Sequence, residues 1–343
     1  MREGVDREGR HLYPVFPYEH FTKITDEDLR ALYAFVMTRD SVRAETPPNE
    51  LVFPFNVRSL IGAWKVLYFE PGVFRPDPAQ SAQWNRGAYL VDGVGHCGAC
   101  HTPRNRLGAE KKREYLAGGE AENWHAPALN AASPAPVPWT SAQLYQYLRT
   151  RLDDLHAIAA GPMEPVVLNL RTVSEEDVKA IAAYVAATMG TPGPDRRKKT
   201  DDALMHARRD EAVGVRADRI DRDPARAGDR AFQNGAAIYA GAWAVCHDIG
   251  RNASIGSGLH LALGSAMTIP TSSNLIHIIL EGIAPPDGEP GRWMPGYAEA
   301  LSDEQVKELV TYIRAYFGRS PPWPDVDEEI KKFRQVNAKL RAR

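Results

Sequence analysis

The sequence predicts an all-α chain in which one small helical unit recurs in tandem, once in part and twice nearly complete, with irregular straps between the copies. Two observations carry that prediction. A hydroxyl residue followed by acidic residues and a helical apolar stripe occurs three times. Segments rich in proline, aromatic or charged residues separate the copies.

The copies begin at Thr25 (T-D-E-D-L-R-A-L-Y-A-F-V), Ser174 (S-E-E-D-V-K-A-I-A-A-Y-V) and Ser302 (S-D-E-Q-V-K-E-L-V-T-Y-I). Each hydroxyl reads as an N-cap, and Asp28, Asp177 and Gln305 fit or nearly fit a capping box. The apolar residues keep one register. Leu29, Val178 and Val306 share the first position, and Leu32, Ile181 and Leu309 the second. Phe35, Tyr184 and Tyr312 share the third, with Val36, Val185 and Ile313 beside them. Spacings of three and four put them on one helix face. Any amphipathic helix has such a stripe. A shared cap and an aromatic at the same offset point to three copies of one domain, each ending in this helix.

The division that follows is a first unit in part (1–40), a strap (41–80), a second unit (81–190), a charged linker (191–226), a third unit (227–318) and a charged tail (319–343). The strap is proline- and aromatic-rich (P-P-N-E-L-V-F-P-F-N) and reads as ordered. Residues 195–226 hold 10 basic and 8 acidic side chains, a near balance that reads as a solvated linker rather than a docking patch. The stretch from Asp325 to Arg343 reads as an exposed charged helix.

Composition sets the outer limits. At 343 residues and 43% hydrophobic content the chain is long and apolar enough for more than one packed core. A net charge of −2 argues against a nucleic-acid surface. No uncharged apolar run approaches the ~20 residues that span a bilayer. Met1 to Arg10 is polar and charged, so no secretory signal is expected there. Three cysteines are too few for a disulfide framework.

Chemistry concentrates at G-H-C-G-A-C-H-T-P-R-N. Cys97, Cys100 and His101 form C-x-x-C-H, the attachment signature of c-type haem. Two thiols on one helical turn reach the two vinyl groups of a porphyrin, and the next residue offers its imidazole to the iron. A zinc ribbon needs four ligands and has no second C-x-x-C here. A thioredoxin-like pair needs a βαβ setting, and the surroundings read as helix and loop. The distal candidate is Met163 in A-A-G-P-M-E-P, just before the helix that starts at Ser174.

The third unit holds a variant of the same motif. In G-A-W-A-V-C-H-D, Cys246 and His247 are present and Trp243 stands at the first Cys position; Met294 follows in R-W-M-P-G-Y. The lead-ins R-G-A-Y-L-V-D-G and N-G-A-A-I-Y-A-G also correspond. Two readings stay open. Either haem is held by a single thioether at Cys246 with His247 and Met294 as axial ligands, or Trp243 fills the space of a porphyrin edge. The first unit has Phe16 roughly where the others have Met, and no Cys; His11 and His20 read as structural, and no haem is expected on residues 1–40.

Together R-H-L-Y-P-V-F-P-Y-E-H-F-T-K-I-T-D-E-D, L-V-F-P-F-N-V-R, W-N-R-G-A-Y-L-V-D-G-V-G-H-C-G-A-C-H-T-P-R-N and M-P-G-Y-A-E-A-L-S-D-E-Q-V resemble the three-haem cytochrome c subunit of bacterial membrane-associated dehydrogenases, over nearly the whole chain except 191–226. The resemblance implies tandem class I cytochrome c domains. It implies haem c on Cys97 and Cys100 with His101 and Met163 as axial ligands, and a second site at Cys246, His247 and Met294. It implies a periplasmic, membrane-associated electron-transfer subunit that is no enzyme on its own. Its partner would be a quinoprotein, flavoprotein or molybdenum-hydroxylase dehydrogenase, and its acceptor ubiquinone or a terminal oxidase. The chain departs from the family in three ways: no signal peptide or first C-x-x-C-H, which reads as an N-terminal truncation; Trp243; and the charged linker. These departures motivate an alternative, a haem-poor interaction or scaffold fragment or a gene remnant. A haem peroxidase, needing an open axial position, is a third reading that Met163 ligation would exclude.

Overall fold

The computed structural model describes residues 1–45, 47, 49–213, 229–247, 260–291 and 293–341. Helices dominate it, and the three repeats are capped as the sequence predicts. Thr25, Ser174 and Ser302 each accept a hydrogen bond from the backbone N–H three residues on, starting helices Asp26–Met37, Glu175–Met189 and Asp303–Tyr316. At Ser302 the box is complete, because the Gln305 side chain also accepts from the Ser302 N–H.

Two of these helices cross a partner at close range, and glycine makes the crossing. Helix Ala82–Tyr89 lies on Glu175–Met189, where a Cβ at Gly87 would sit 2.1 Å from the Ala180 carbonyl oxygen. Helix Arg230–Ala242 lies on Asp303–Tyr316, where a Cβ at Gly235 would sit 2.2 Å from the Glu308 carbonyl oxygen. Three residues before each glycine an aromatic ring meets the repeat tyrosine: Trp84 on Tyr184 at 5.0 Å and Phe232 on Tyr312 at 5.2 Å between centroids. Val178, Ile181, Tyr184 and Val185 are buried in one core. Val306, Leu309, Tyr312 and Ile313 are buried in another.

The first repeat differs. None of the residues of helix Asp26–Met37 is buried, and its stripe is open to solvent, with Phe35 57% exposed. The strap that follows carries helix Leu60–Tyr68 and exposes Val52, Phe53, Val66 and Leu67 as well. No strand was expected, yet two hairpins of very short strands occur, Gly119–Ala121 with Trp124–Ala126 and Leu152–Asp153 with Ala157–Ile158.

Two segments read as solvated are docked instead. Within 191–226, helix Pro194–Val213 docks on the middle unit through Arg196, which donates to the Ser133 carbonyl at 2.8 Å, and through Thr200, which donates to the Pro136 carbonyl at 3.1 Å. Its Ala207 is buried with Val137 and Leu263. Residues 214–228 of that linker lie outside the described residues. In the tail, helix Val326–Arg341 buries Val326, Ile330 and Phe333 in the last core, and Trp323 is buried beside them. Their spacing of four and three is a proper apolar stripe, hidden in the sequence by the charges around it.

Candidate haem site

The C-x-x-C-H residues form one tight turn. Helix Gly98–His101 starts from Cys97, and the His101 N–H donates to the Cys97 carbonyl at 3.0 Å. Upstream, helix Ala82–Tyr89 runs on as a π-helix, Leu90–Val94, so that the Cys97 N–H meets the Val91 carbonyl at 3.0 Å. This widened turn places two more residues between Gly87 and Cys97 than lie between Gly235 and Trp243. Both thiols are free and partly exposed. Burial pushes the Cys97 thiol up to about 12.

The His101 ring is oriented from outside the turn. Its Nδ1 lies 2.6 Å from the Pro127 carbonyl oxygen. A carbonyl only accepts, so Nδ1 carries the hydrogen and Nε2 keeps its lone pair. Burial lowers the His101 pKa and so favours that neutral form. Pro127 follows the hairpin Gly119–Ala121/Trp124–Ala126, which is pressed against the turn: a Cβ at Gly119 would sit 2.3 Å from the Cys100 carbonyl oxygen. Met163 opens helix Met163–Leu170 and packs, like Cys97, on the middle core. Two residues earlier Gly161 has φ +55°, and a Cβ there would lie 2.4 Å from the Trp124 ring.

Behind the turn stands a polar cluster that sequence reasoning missed. The His20 Nδ1 lies 2.8 Å from the Asp92 carbonyl oxygen and its Nε2 2.8 Å from Glu110 Oε1. Both partners are acceptors, so both ring nitrogens donate and His20 is an imidazolium. Burial works against that charge, but the Glu110 hydrogen bond and charge outweigh it and raise the His20 pKa. Glu110 is likewise opposed by burial and held below the usual carboxylate range by His20 and Arg104. The His20 ring also covers Gly98, where a Cβ would sit 2.8 Å from Cε1. His20 is thus structural, as read from sequence.

The last unit repeats the turn on a different floor. Helix Ala244–His247 follows Trp243, whose N–H donates to Tyr239 at 2.8 Å, and the His247 N–H donates to the Trp243 carbonyl at 2.9 Å. Trp243 is only 3% exposed and lies 4.3 Å from the Tyr297 ring between centroids. Met294 packs on the same core and pairs with Ile283 through two 2.8 Å backbone hydrogen bonds. Cys246 is exposed. The structure therefore puts Trp243 and Met294 on one core and Cys246 at the surface.

The two units touch through the hairpin. The Asn274 side chain accepts from the His125 N–H at 2.7 Å and donates to its carbonyl at 2.9 Å, and the Trp124 ring lies 4.9 Å from that of His277. None of these long-range partners has a local sequence signal. Among the described residues no group of three or more His, Cys, Asp or Glu is placed to hold a free metal ion. No helix among them is long and apolar enough to cross a membrane.

The chain is similar to several known proteins. Residues 230–313 match the family model described as cytochrome c oxidase, cbb3-type, subunit III. The chain is 41% identical to a nicotinate dehydrogenase subunit of Pseudomonas putida over 97% of its own length but 26% of that protein's. It is 33% identical to the fructose dehydrogenase cytochrome subunit of Gluconobacter japonicus, covering 97% of this chain and 69% of that one. It is 31% identical to the gluconate 2-dehydrogenase cytochrome c subunit of Pantoea cypripedii, covering 98% and 75%.

Proposed function

The chain belongs to the cytochrome c electron-transfer subunits of dehydrogenases, and from that premise we propose that residues 81–190 form a cytochrome c domain with one haem c on Cys97 and Cys100. His101 and Met163 would hold its iron. One observation carries the reading: the imidazole beside the two thiols is held by Pro127 with its Nε2 lone pair free, as a ligand to iron requires.

Haem bound there supplies a one-electron ferric/ferrous couple. The protein's part would be to hold the iron between His101 and Met163, which would tune its potential. Pro127 fixes the ring of His101. The Gly161–Trp124 contact sets where the Met163 segment begins. No substrate is turned over on this chain. Electrons arrive from a catalytic dehydrogenase subunit, on the periplasmic side of the membrane, and leave to ubiquinone or a terminal oxidase.

Residues 227–318 form a second cytochrome c domain, and residues 1–40 carry the first copy of the repeat helix. At 227–318 the inherited ligand set is Cys246, His247 and Met294. The burial of Trp243 against Tyr297 favours a second reading there, in which the indole occupies the place of a porphyrin edge. The test is a denaturing gel stained for haem, run on chain matured in the periplasm with haem-attachment machinery. Colour stays on the wild-type polypeptide and leaves it in the Cys97→Ser, Cys100→Ser double variant. Colour that survives the double substitution would move the attachment to Cys246.

A further inference from the structure

Arg151 is a buried cation that the electron-transfer reading does not use. It caps helix Ser141–Thr150 in the left-handed region, at φ 72°, and is 4% exposed. Its Nε donates to the Ala159 carbonyl at 2.7 Å, and its Nη1 donates to the Ala284 carbonyl at 2.7 Å and pairs with Glu164 at 2.7 Å. Ala159 and Glu164 bracket the loop that delivers Met163, while Ala284 adjoins Ile283, the backbone partner of Met294. One guanidinium thus ties together both methionine-bearing segments.

Stability alone is a weak account of this residue. Burying a cation is costly even when it is paired, and an apolar side chain of similar size often serves the fold as well. Arg151 Nη2 is moreover buried without a hydrogen-bond partner among the described residues. In some proteins a buried group of this kind fixes one arrangement of the segments around it. Two residues earlier in the chain, Arg149 holds the far end of helix Met163–Leu170 by donating to the Leu170 and Val173 carbonyls at 3.0 and 2.8 Å. That helix is therefore clamped at both ends, and both reach the last unit: Arg151 meets the Ala284 carbonyl beside Ile283, and Arg171, at the far end, pairs with Glu289 at 2.9 Å.

We propose that Arg151 is a positioning residue that holds the Met163 segment against the middle site and braces it on the Ile283–Met294 strap of the last unit. This rests on Met163 being an axial ligand. It gives the last unit a role that needs no haem of its own, as a brace for the ligand loop of its neighbour.

The test uses the full haem-loaded chain and free imidazole as a competing ligand, read by the methionine–iron charge-transfer band and by the haem potential. In wild type the band is present and imidazole displaces it only at high concentration. In Arg151→Met the segment loosens, imidazole binds at least about tenfold tighter, and the potential falls. Glu164→Gln, which spares both carbonyl contacts, shifts imidazole binding in the same direction by about threefold. Unchanged imidazole affinity and potential in Arg151→Met overturn the proposal. Should that variant fail to fold, unchanged affinity in Glu164→Gln overturns it instead. A wild-type chain that holds haem but lacks the band defeats the Met163 assignment beneath it, a separate failure.

Discussion

The middle and last units are built alike and floored differently. Each crosses two helices at a glycine, sets an aromatic ring on the repeat tyrosine, and follows with a turn ending in Cys-His. In the middle unit the first position of that turn is a thiol reached through a π-helix. In the last it is an indole packed on Tyr297. The helix crossing depends on close backbone contacts at Gly87 and Gly235, which precede the first position of the turn in the chain. A unit can therefore keep the crossing while its floor is replaced, provided that something fills the interior.

Trp243 is where this comparison breaks most readily. Trp243→Ala should empty the last core and cost about 3–5 kcal/mol, read by chemical denaturation. Trp243→Cys restores the second thiol, and haem per chain should rise from one to two after periplasmic maturation. No gain in haem would mean that more than the thiol separates the two units.

The second contrast is the charged cluster behind the middle turn. His20→Leu leaves the buried Glu110 paired with Arg104 at 3.3 Å and without its imidazolium, so the loss should be about 3 kcal/mol, the low end for a broken buried pair. The pH dependence has a definite sign. The His20 pKa is raised, so its contribution is complete below the ordinary histidine value and fades as pH rises through the raised one. The Glu110 pKa is lowered, so its contribution is complete above the ordinary carboxylate value and fades as pH falls through the lowered one. The deficit of His20→Leu should be greatest near pH 5.5, roughly midway between ordinary Glu and His values, and should shrink on the alkaline side. A deficit independent of pH would show that packing over Gly98, not charge, is what His20 provides.

The smallest effect tests the shared part. Gly87→Ala and Gly235→Ala each force a methyl into a carbonyl and should cost about 1–3 kcal/mol, nearly the same in both units. A large inequality would mean that the two crossings are not equivalent.

What sequence reading captured was local. The caps at Thr25, Ser174 and Ser302 and the turn at Cys97 depend on residues within a few positions of one another, and all are found as read. What it missed joins distant residues. Pro127 meets His101 across 26 positions and Glu110 meets His20 across 90, with no periodicity to announce either. Helices Pro194–Val213 and Val326–Arg341 were hidden for another reason: charge density masked narrow buried faces around Ala207 and Phe333. The open stripe of Asp26–Met37 was legible as a stripe, but only the structure shows it uncovered while its two sisters are buried.

The ratio of haem to polypeptide in periplasmically matured chain, taken from the pyridine haemochrome spectrum and amino-acid analysis, bears on all of this at once. One haem per chain is predicted, carried by the middle unit. Two would refute the filling of the last core by Trp243, and none would refute the haem site itself.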